Sequence, residues 1–431
     1  MTHTFHEPAR EIPVYDNVDV LVLGSGPAGV CAAICAARMK ARTLLIEQLG
    51  CVGGISTAGL MSHWTGNTRG GIYEEILDRS CEINEQAGRN TINPERLKTV
   101  YLQMLQEAGA KVRLYTFVSS PIMEGNSLRG VIVESKSGRE AIFAKVIIDA
   151  TGDGDIAAKA GVPYALGREE DRKMQPATLM FKVAGVDMSE GVFPGSFESN
   201  LDVPRGKIQD LAREYLPFPA GHVLLYPSTL PGIVTCNMTN AIDIDGTDAD
   251  SLTQAECICR SQMEPIIRFL REFVPGFENC YIISSASLIG IRETRHFDGE
   301  YTLTKEDILA SRQFPDWAVP HASFNFDVHN ITGAGLDATG AQKHFPKIQG
   351  YSIPYGCLVP KKVENLLLAG RCISGTHLAH SNFRVMPICA NLGQAAGVAS
   401  ALSVQKGIPV RRIDVSDLQA ALLKMGVRAD R

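Results

Sequence analysis

The chain has 431 residues, of which 45% are hydrophobic and 21% charged, with a net charge of −5 and no block of Lys or Arg. That length exceeds what one small core organises and predicts two domains, while the acid balance argues against a nucleic-acid or anionic-membrane surface. No apolar run reaches the roughly 18 residues that span a bilayer, and the polar start "MTHTFHEPAREIPVYDN" lacks the apolar core and cleavage site of a secretory signal.

In chain order, residues 18–23 read as a buried strand, residues 27–39 as an Ala-rich helix and residues 42–47 as a second strand, which together make a βαβ unit. Between strand and helix, "VLVLGSGPAGVCAA" places Gly24, Gly26 and Gly29 as G-x-G-x-x-G. The first glycine permits the tight turn, the second lets backbone N–H groups approach a pyrophosphate, and the third allows close helix–sheet packing. The helix N-terminus adds partial positive charge facing that pyrophosphate. Glu47 closes the second strand; a carboxylate there accepts hydrogen bonds from both ribose hydroxyls and disfavours a 2′-phosphorylated nucleotide.

Two helices are expected over 72–87 and 94–108. "KVRLYTFVSSPIM", "LRGVIVES" and "REAIFAKVIIDATG" then read as strands of a meander returning to the parallel sheet. From 167 to 349 prolines become frequent, strand-like pieces ("ATLMFKVAG", "GHVLLYP", "GIVTCNM") alternate with turns, and one long helix is expected over 252–273. "NLLLAG" restores the buried-strand pattern and leads into an Ala/Gly-rich helix with Pro387 in its first turn. Residues 1–165 and 351–431 thus form one discontinuous domain, with 166–350 inserted. The fold class is α/β: a Rossmann-like dinucleotide-binding domain, parallel sheet plus β-meander, carrying an α+β substrate domain.

Eleven scattered cysteines without a Cys-x-x-Cys pair predict reduced, mostly buried thiols, a cytoplasmic protein and no metal site.

Gly53-Gly54 after Glu47, and "DATGDGD" closing the meander, make the chain resemble FAD-binding flavoproteins rather than nicotinamide dehydrogenases. In that class the strand ending in Ala-Thr-Gly lies beside the adenosine, and a C-terminal strand, "AG" and helix cover the ribityl chain and isoalloxazine. More narrowly, "GGISTAGL", "DATGDGDIA", "GIRETRHFDGEYTLT" and "LLLAGRCISGTH...FRVMPICANLGQAAG" resemble the FAD-dependent oxidoreductase family related to the fumarate reductase and succinate dehydrogenase flavoproteins. The resemblance runs over essentially the whole chain and is specific for fold and cofactor, far less so for substrate. It implies FAD held by Gly24, Ser25, Gly26, Pro27, Ala28, Gly29, Glu47, Gly53, Gly54, Ser56, Thr57, Val118, Ala150, Thr151, Gly152, Asp155, Gly370, Arg371, Pro387, Ala390, Asn391 and Leu392. Some fumarate reductase relatives carry covalent flavin on a histidine in a region comparable to His63, but the local pattern differs here, so noncovalent FAD is expected.

A second G-x-G-x-x-G, which would mark an NAD(P)H domain, is missing. Cys51 has no partner cysteine for a redox pair, and no cysteine spacing suits an iron–sulfur cluster. Electrons therefore pass to a small molecule, to oxygen, or to an electron-acceptor protein docking near the flavin. Self-association stays open, and neither nucleic acid nor a membrane segment is expected.

"THLAHSNFRVMP" reads as the last loop before the flavin-facing helix, whose N-terminal amides stabilise the charge that develops on flavin reduction. Arg384 is the candidate clamp for a substrate carboxylate, with a structural salt bridge or a flavin-phosphate contact as alternatives. His377 and His380 are candidate proton donors or acceptors, or packed histidines. In "GIRETR", one of Arg292 and Arg295 is expected to reach the cavity and the other to join the domains. Extended backbone would put Arg292 and Glu293 on opposite sides. Tyr355 either lines the cavity or belongs to the core. The expected reaction is hydride transfer between flavin N5 and a small polar substrate, carboxylate-bearing or hydroxylated. An oxygen-using oxidase or hydroxylase and an electron-transfer subunit are the alternatives.

Overall fold

The computed structural model describes residues 4–82, 87–196, 199–337 and 348–430. Strand β1 (Val14–Leu23), helix α1 (Pro27–Arg38) and strand β2 (Thr43–Ile46) form the first unit. β1 and β2 run parallel, with Val20 opposite Thr43 and Leu23 opposite Ile46. Val20 to Leu23 are buried on both strand faces, which is why the strand reads as a continuous apolar run rather than an alternation. α2 (Gly71–Ser80) is shorter than expected, since Cys81 turns extended; residues 83–86 of the expected helix lie outside the described residues. In α3 (Pro94–Ala108), the Asn93 side chain accepts the Glu95 N–H at the start, and Gly109, left-handed at φ 80°, ends the helix.

The segment expected as one strand over 111–123 is two, broken at Tyr115 with φ 53°. β3 (Lys111–Arg113) pairs parallel with β2, whereas β4 (Thr116–Glu124) pairs antiparallel with β5 (Ser127–Ser135). β6 (Gly138–Asp149) is long enough to serve two partners along one edge. Its first half pairs antiparallel with β5. Its second half pairs parallel with a strand from the far end of the chain, and its other edge holds β1.

Residues 177–286 build a second sheet and core. β7 (Phe181–Ala184), β8 (Leu225–Pro227), β9 (Val234–Cys236) and, after helix α4 (Ala249–Phe273), β10 (Tyr281–Ser285) form a sheet of order β8-β9-β7-β10. α4 buries Met263, Ile266, Ile267 and Leu270 in this second core, which runs from Ala177 to Ala286 and takes in Leu60. The apolar side chains of residues 297–326, among them Phe297, Phe314 and Phe326, pack into the first core instead.

β11 (Trp317–Ser323) pairs with β12 (Tyr351–Pro354), and β13 (Leu366–Leu368) is the late partner of β6. The chain beyond β13 does not form the loop expected over 376–387. Residues His377–Phe383 form helix α5, which turns through 93° into α6 (Met386–Lys406). α6 is buried from Met386 to Ser403, and its small residues let it lie directly on α1. A Cβ at Gly393 would stand 2.0 Å from the Ala28 carbonyl oxygen, and one at Gly397 would stand 2.2 Å from that of Ala32. Among the described residues no single helix is long and apolar enough to cross a membrane.

Candidate functional site

A cavity of about 800 Å3 runs from the glycine turn after β1 to the junction between the two cores. At one end it is built from main chain. Gly24 holds φ 85°, and its N–H donates to the Ile46 carbonyl at 2.9 Å. Glu47 Oε2 accepts the Ser25 N–H at 2.9 Å and the Ser25 hydroxyl at 2.6 Å, and its Oε1 accepts the Leu49 N–H at 2.8 Å. Glu47 therefore fixes the turn while lining the cavity beside it. A Cβ at Gly26 would meet no atom within 4 Å, so the space at the start of α1 is open, whereas one at Gly29 would lie 1.8 Å from the Gly24 carbonyl oxygen. An open cradle at a helix N-terminus, with the second glycine bare and the third pressed against the strand turn, is what a pyrophosphate needs.

Of the residues expected around FAD, Gly24, Ser25, Gly26, Pro27, Ala28, Glu47, Gly54, Val118, Ala150, Thr151, Gly152, Asp155, Gly370 and Arg371 line this cavity. Gly29, Gly53, Ser56, Thr57, Pro387, Ala390, Asn391 and Leu392 do not. The Ser56 and Thr57 hydroxyls donate to Gly53 and Val52 carbonyls, each at 2.6 Å, and so shape the Gly53-Gly54 turn. Asn391 faces the other way, its Nδ2 donating to Thr68 Oγ1 at 3.1 Å. From α6 and the residue before it, Val385, Met386 and Cys389 line the wall instead. Arg371 Nη2 donates to Asp153 Oδ1 at 2.8 Å, and its buried Nη1 has no partner among the described residues, a donor suited to an anionic cofactor.

The opposite end is built from side chains. Arg384, at the C-terminal cap of α5, donates through Nη2 to the backbone oxygen and to Oδ2 of Asp327, both at 2.9 Å. Arg292 donates through Nη1 to the Pro176 carbonyl at 2.6 Å and to Thr178 Oγ1 at 2.8 Å. Burial and the nearby Arg384 pull its guanidinium down to about 10. His329 Nε2 lies 3.4 Å from Asp327 Oδ2. Burial, then Arg292, push that imidazole down to about 4, so it is neutral near pH 7. Burial alone would raise the Asp327 carboxyl, but the surrounding His329, Arg384 and Arg292 hold it below its ordinary value. Tyr226, pushed up to about 12 by burial, and Asn237 complete the wall.

The buried Arg292 and the partly buried Arg384 thus both stand close enough to Asp327 to act on its charge, and the Arg384 Nε has no hydrogen-bond partner among the described residues.

The remaining candidates lie elsewhere. Arg295 lines the cavity near the nucleotide end, tied through Nη1 to the Asp153 carbonyl at 2.8 Å and Asp155 Oδ1 at 2.9 Å. His377 and His380 do not line the cavity; His377 turns its Nδ1 to Glu293, and His380 packs edge-on against His296. Tyr355 is core, donating to the Val410 carbonyl at 3.0 Å. His63 stacks on Tyr226 with ring centroids 5.0 Å apart, outside the lining. Asp327, His329, Tyr226 and Asn237 were not singled out from the sequence. The only available signal was the polar "FDVHN", which is indistinguishable from a surface loop until its partners are placed.

A family model described as "FAD dependent oxidoreductase" matches residues 19–422. Fumarate reductase (cytochrome) of Shewanella frigidimarina is 32% identical over 89 residues, 20% of this chain and 16% of its own length. Digeranylgeranylglycerophospholipid reductase of Methanosarcina mazei is 27% identical over 194 residues, 41% of this chain and 47% of its own. The matches to these curated relatives span less than half of either, and the likeness to fumarate reductase is one of several. In fold, the chain is similar to a geranylgeranyl bacteriochlorophyll reductase-like protein of Thermoplasma acidophilum, with TM-score 0.50, 12% identity, and coverage of 96% of this chain and 85% of the other.

Proposed function

The chain belongs to the FAD-dependent oxidoreductase family, with FAD as its cofactor, and from that premise we propose that it moves hydride equivalents between the flavin and a small carboxylate-bearing substrate. The observation that carries this reading is a cavity wall holding both Arg292 and Arg384: Arg384 is paired with Asp327, while Arg292 is bonded to the neutral Pro176 carbonyl and Thr178 hydroxyl and has no ion-pair partner among the described residues. A guanidinium binds a carboxylate bidentately, and in a low dielectric such a pair is stronger than in water. The glycine turn, Glu47 and Arg371 would hold FAD noncovalently. Bound FAD supplies a hydride donor or acceptor at N5.

The chain's own residues then have distinct tasks. Arg384, aided by Arg292, orients the substrate carboxylate. Asp327 sets the angle of Arg384 and of His329. His329, neutral near pH 7, is the group assigned to exchange the proton that accompanies hydride transfer. Eleven unpaired cysteines support a cytoplasmic setting.

The test is to reduce the purified yellow protein with dithionite and follow reoxidation against enoates, 2-oxo acids, quinones and oxygen. Fast reoxidation by a carboxylate-bearing compound supports the reading. Peroxide release with oxygen alone would replace it with an oxidase, and inertness to every small molecule with an electron-transfer subunit.

A further inference from the structure

Behind the cavity wall lies a cluster that this reaction does not use. Glu293 is fully buried, and its Oε1 faces two imidazole nitrogens, Nε2 of His296 at 2.8 Å and Nδ1 of His377. Oε2 accepts the backbone N–H of Gln175 at 3.1 Å. Among the described residues no Lys or Arg pairs with this carboxylate, because the adjacent Arg292 turns to Pro176 and Thr178. A buried carboxylate is costly unless its charge is compensated.

We propose that Glu293, His296 and His377 form a binding site for a divalent transition-metal ion of the zinc class. The three donor atoms lie within 4.8 Å of one another. Two imidazoles and one carboxylate suit Zn2+ or Fe2+ and not the all-oxygen shells of Mg2+ or Ca2+. Zinc at about 2.0–2.1 Å from each donor requires neighbouring donors about 3.3 Å apart. Insertion therefore requires the Glu293–His296 pair, now at 2.8 Å, to part by about 0.5 Å. The Gln175 N–H on Oε2 is the kind of supporting bond that orients a ligating carboxylate. His377 keeps 14% of its side chain exposed, which gives an ion a route in from solvent.

The position gives the ion a mechanical role. Glu293 follows Arg292 directly, and His377 opens the helix that Arg384 caps. A bound ion would tie together the two segments that carry the cavity arginines. The site itself does not depend on which substrate those arginines take.

The test uses the full-length flavoprotein, stripped with EDTA and titrated separately with Zn2+ and Co2+. The expected result is one ion per chain, visible d–d absorption from bound Co2+, and a thermal midpoint that rises with Zn2+. His377→Gln and Glu293→Gln should weaken the affinity by at least about 100-fold while flavin content stays unchanged, which separates a lost ligand from a lost fold. Wild-type protein that gives no Co2+ band and binds Zn2+ no better than Glu293→Gln would overturn the proposal and leave the carboxylate hydrogen-bonded to the two imidazoles alone.

Discussion

At the nucleotide end of the cavity the wall is made of backbone amides, bare glycines and one carboxylate that serves the turn itself. At the opposite end it is made of Arg292, Arg384, Asp327 and His329, which three separate segments of the chain bring together. The first kind of wall is local: β1, the turn and α1 are contiguous, so residue spacing dictates the geometry. The second kind exists only after both cores have folded and the α5–α6 corner has formed. Substitutions should therefore act in opposite ways at the two ends, on cofactor and fold at one and on substrate at the other.

The largest effect is expected from Gly29→Ala. Its Cβ would lie 1.8 Å from the Gly24 carbonyl oxygen, and backbone overpacking of this severity costs about 3 kcal/mol or more. The variant should purify colourless or not at all; a yellow, normally stable protein would mean that α1 can slide away from the turn.

Arg384→Ala comes next. Loss of a charge-assisted contact of about 1.5–3 kcal/mol should weaken a carboxylate ligand by about 10- to 100-fold with FAD retained. Release of the flavin instead would move Arg384 to the cofactor end and erase the distinction between the two walls.

Acid should act on the side-chain end through His329 and through His222, a buried imidazole outside the lining but near enough to His329 and Arg292 to feel their charge. His329 is pushed down to about 4 and His222 to about 3, chiefly by burial. The unfolded chain takes up these protons near 6.5, before the folded protein does. Their stabilising contribution is therefore full above that value and is lost as the pH falls toward 4, beyond which His329 is protonated in both states. By linkage, each costs on the order of 2 kcal/mol at pH 5 relative to pH 7. Urea midpoints measured at the two pH values check this, and coincident midpoints would show that both imidazoles are solvated.

The smallest change in stability is expected from Gly26→Ala. Its backbone, at φ −60° and ψ 177°, admits any residue, and the added Cβ meets nothing within 4 Å. Stability should move by less than about 1 kcal/mol, yet FAD affinity measured by flavin fluorescence should fall, because the methyl group fills the phosphate cradle. Unchanged affinity would place the pyrophosphate elsewhere.

The glycine turn, Glu47, the long meander strand and the buried C-terminal helix were readable because each is set by periodicity and spacing along contiguous chain. The break at Tyr115 and the helical form of His377–Phe383 were not. A single left-handed residue leaves no periodic trace, and a seven-residue helix is too short to show one. Arg292 and Glu293 do point to opposite sides, as extended backbone implies, with Arg292 alone lining the cavity, but alternation does not say which of the two faces it. Asp327 and His329 carried no recognisable spacing at all, and His377 looked like a cavity residue until Glu293 was seen to hold it.

By itself, the sequence determined the layered α/β architecture and the main-chain half of the site, since local propensity and glycine sterics act over a few residues, while the cofactor followed from the resemblance to FAD-binding flavoproteins. Only the tertiary structure decided which charged side chains face the cavity. Their pairing depends on long-range packing of two cores, and the energies that select Arg384–Asp327 over a solvated arginine arise only once burial has removed the water.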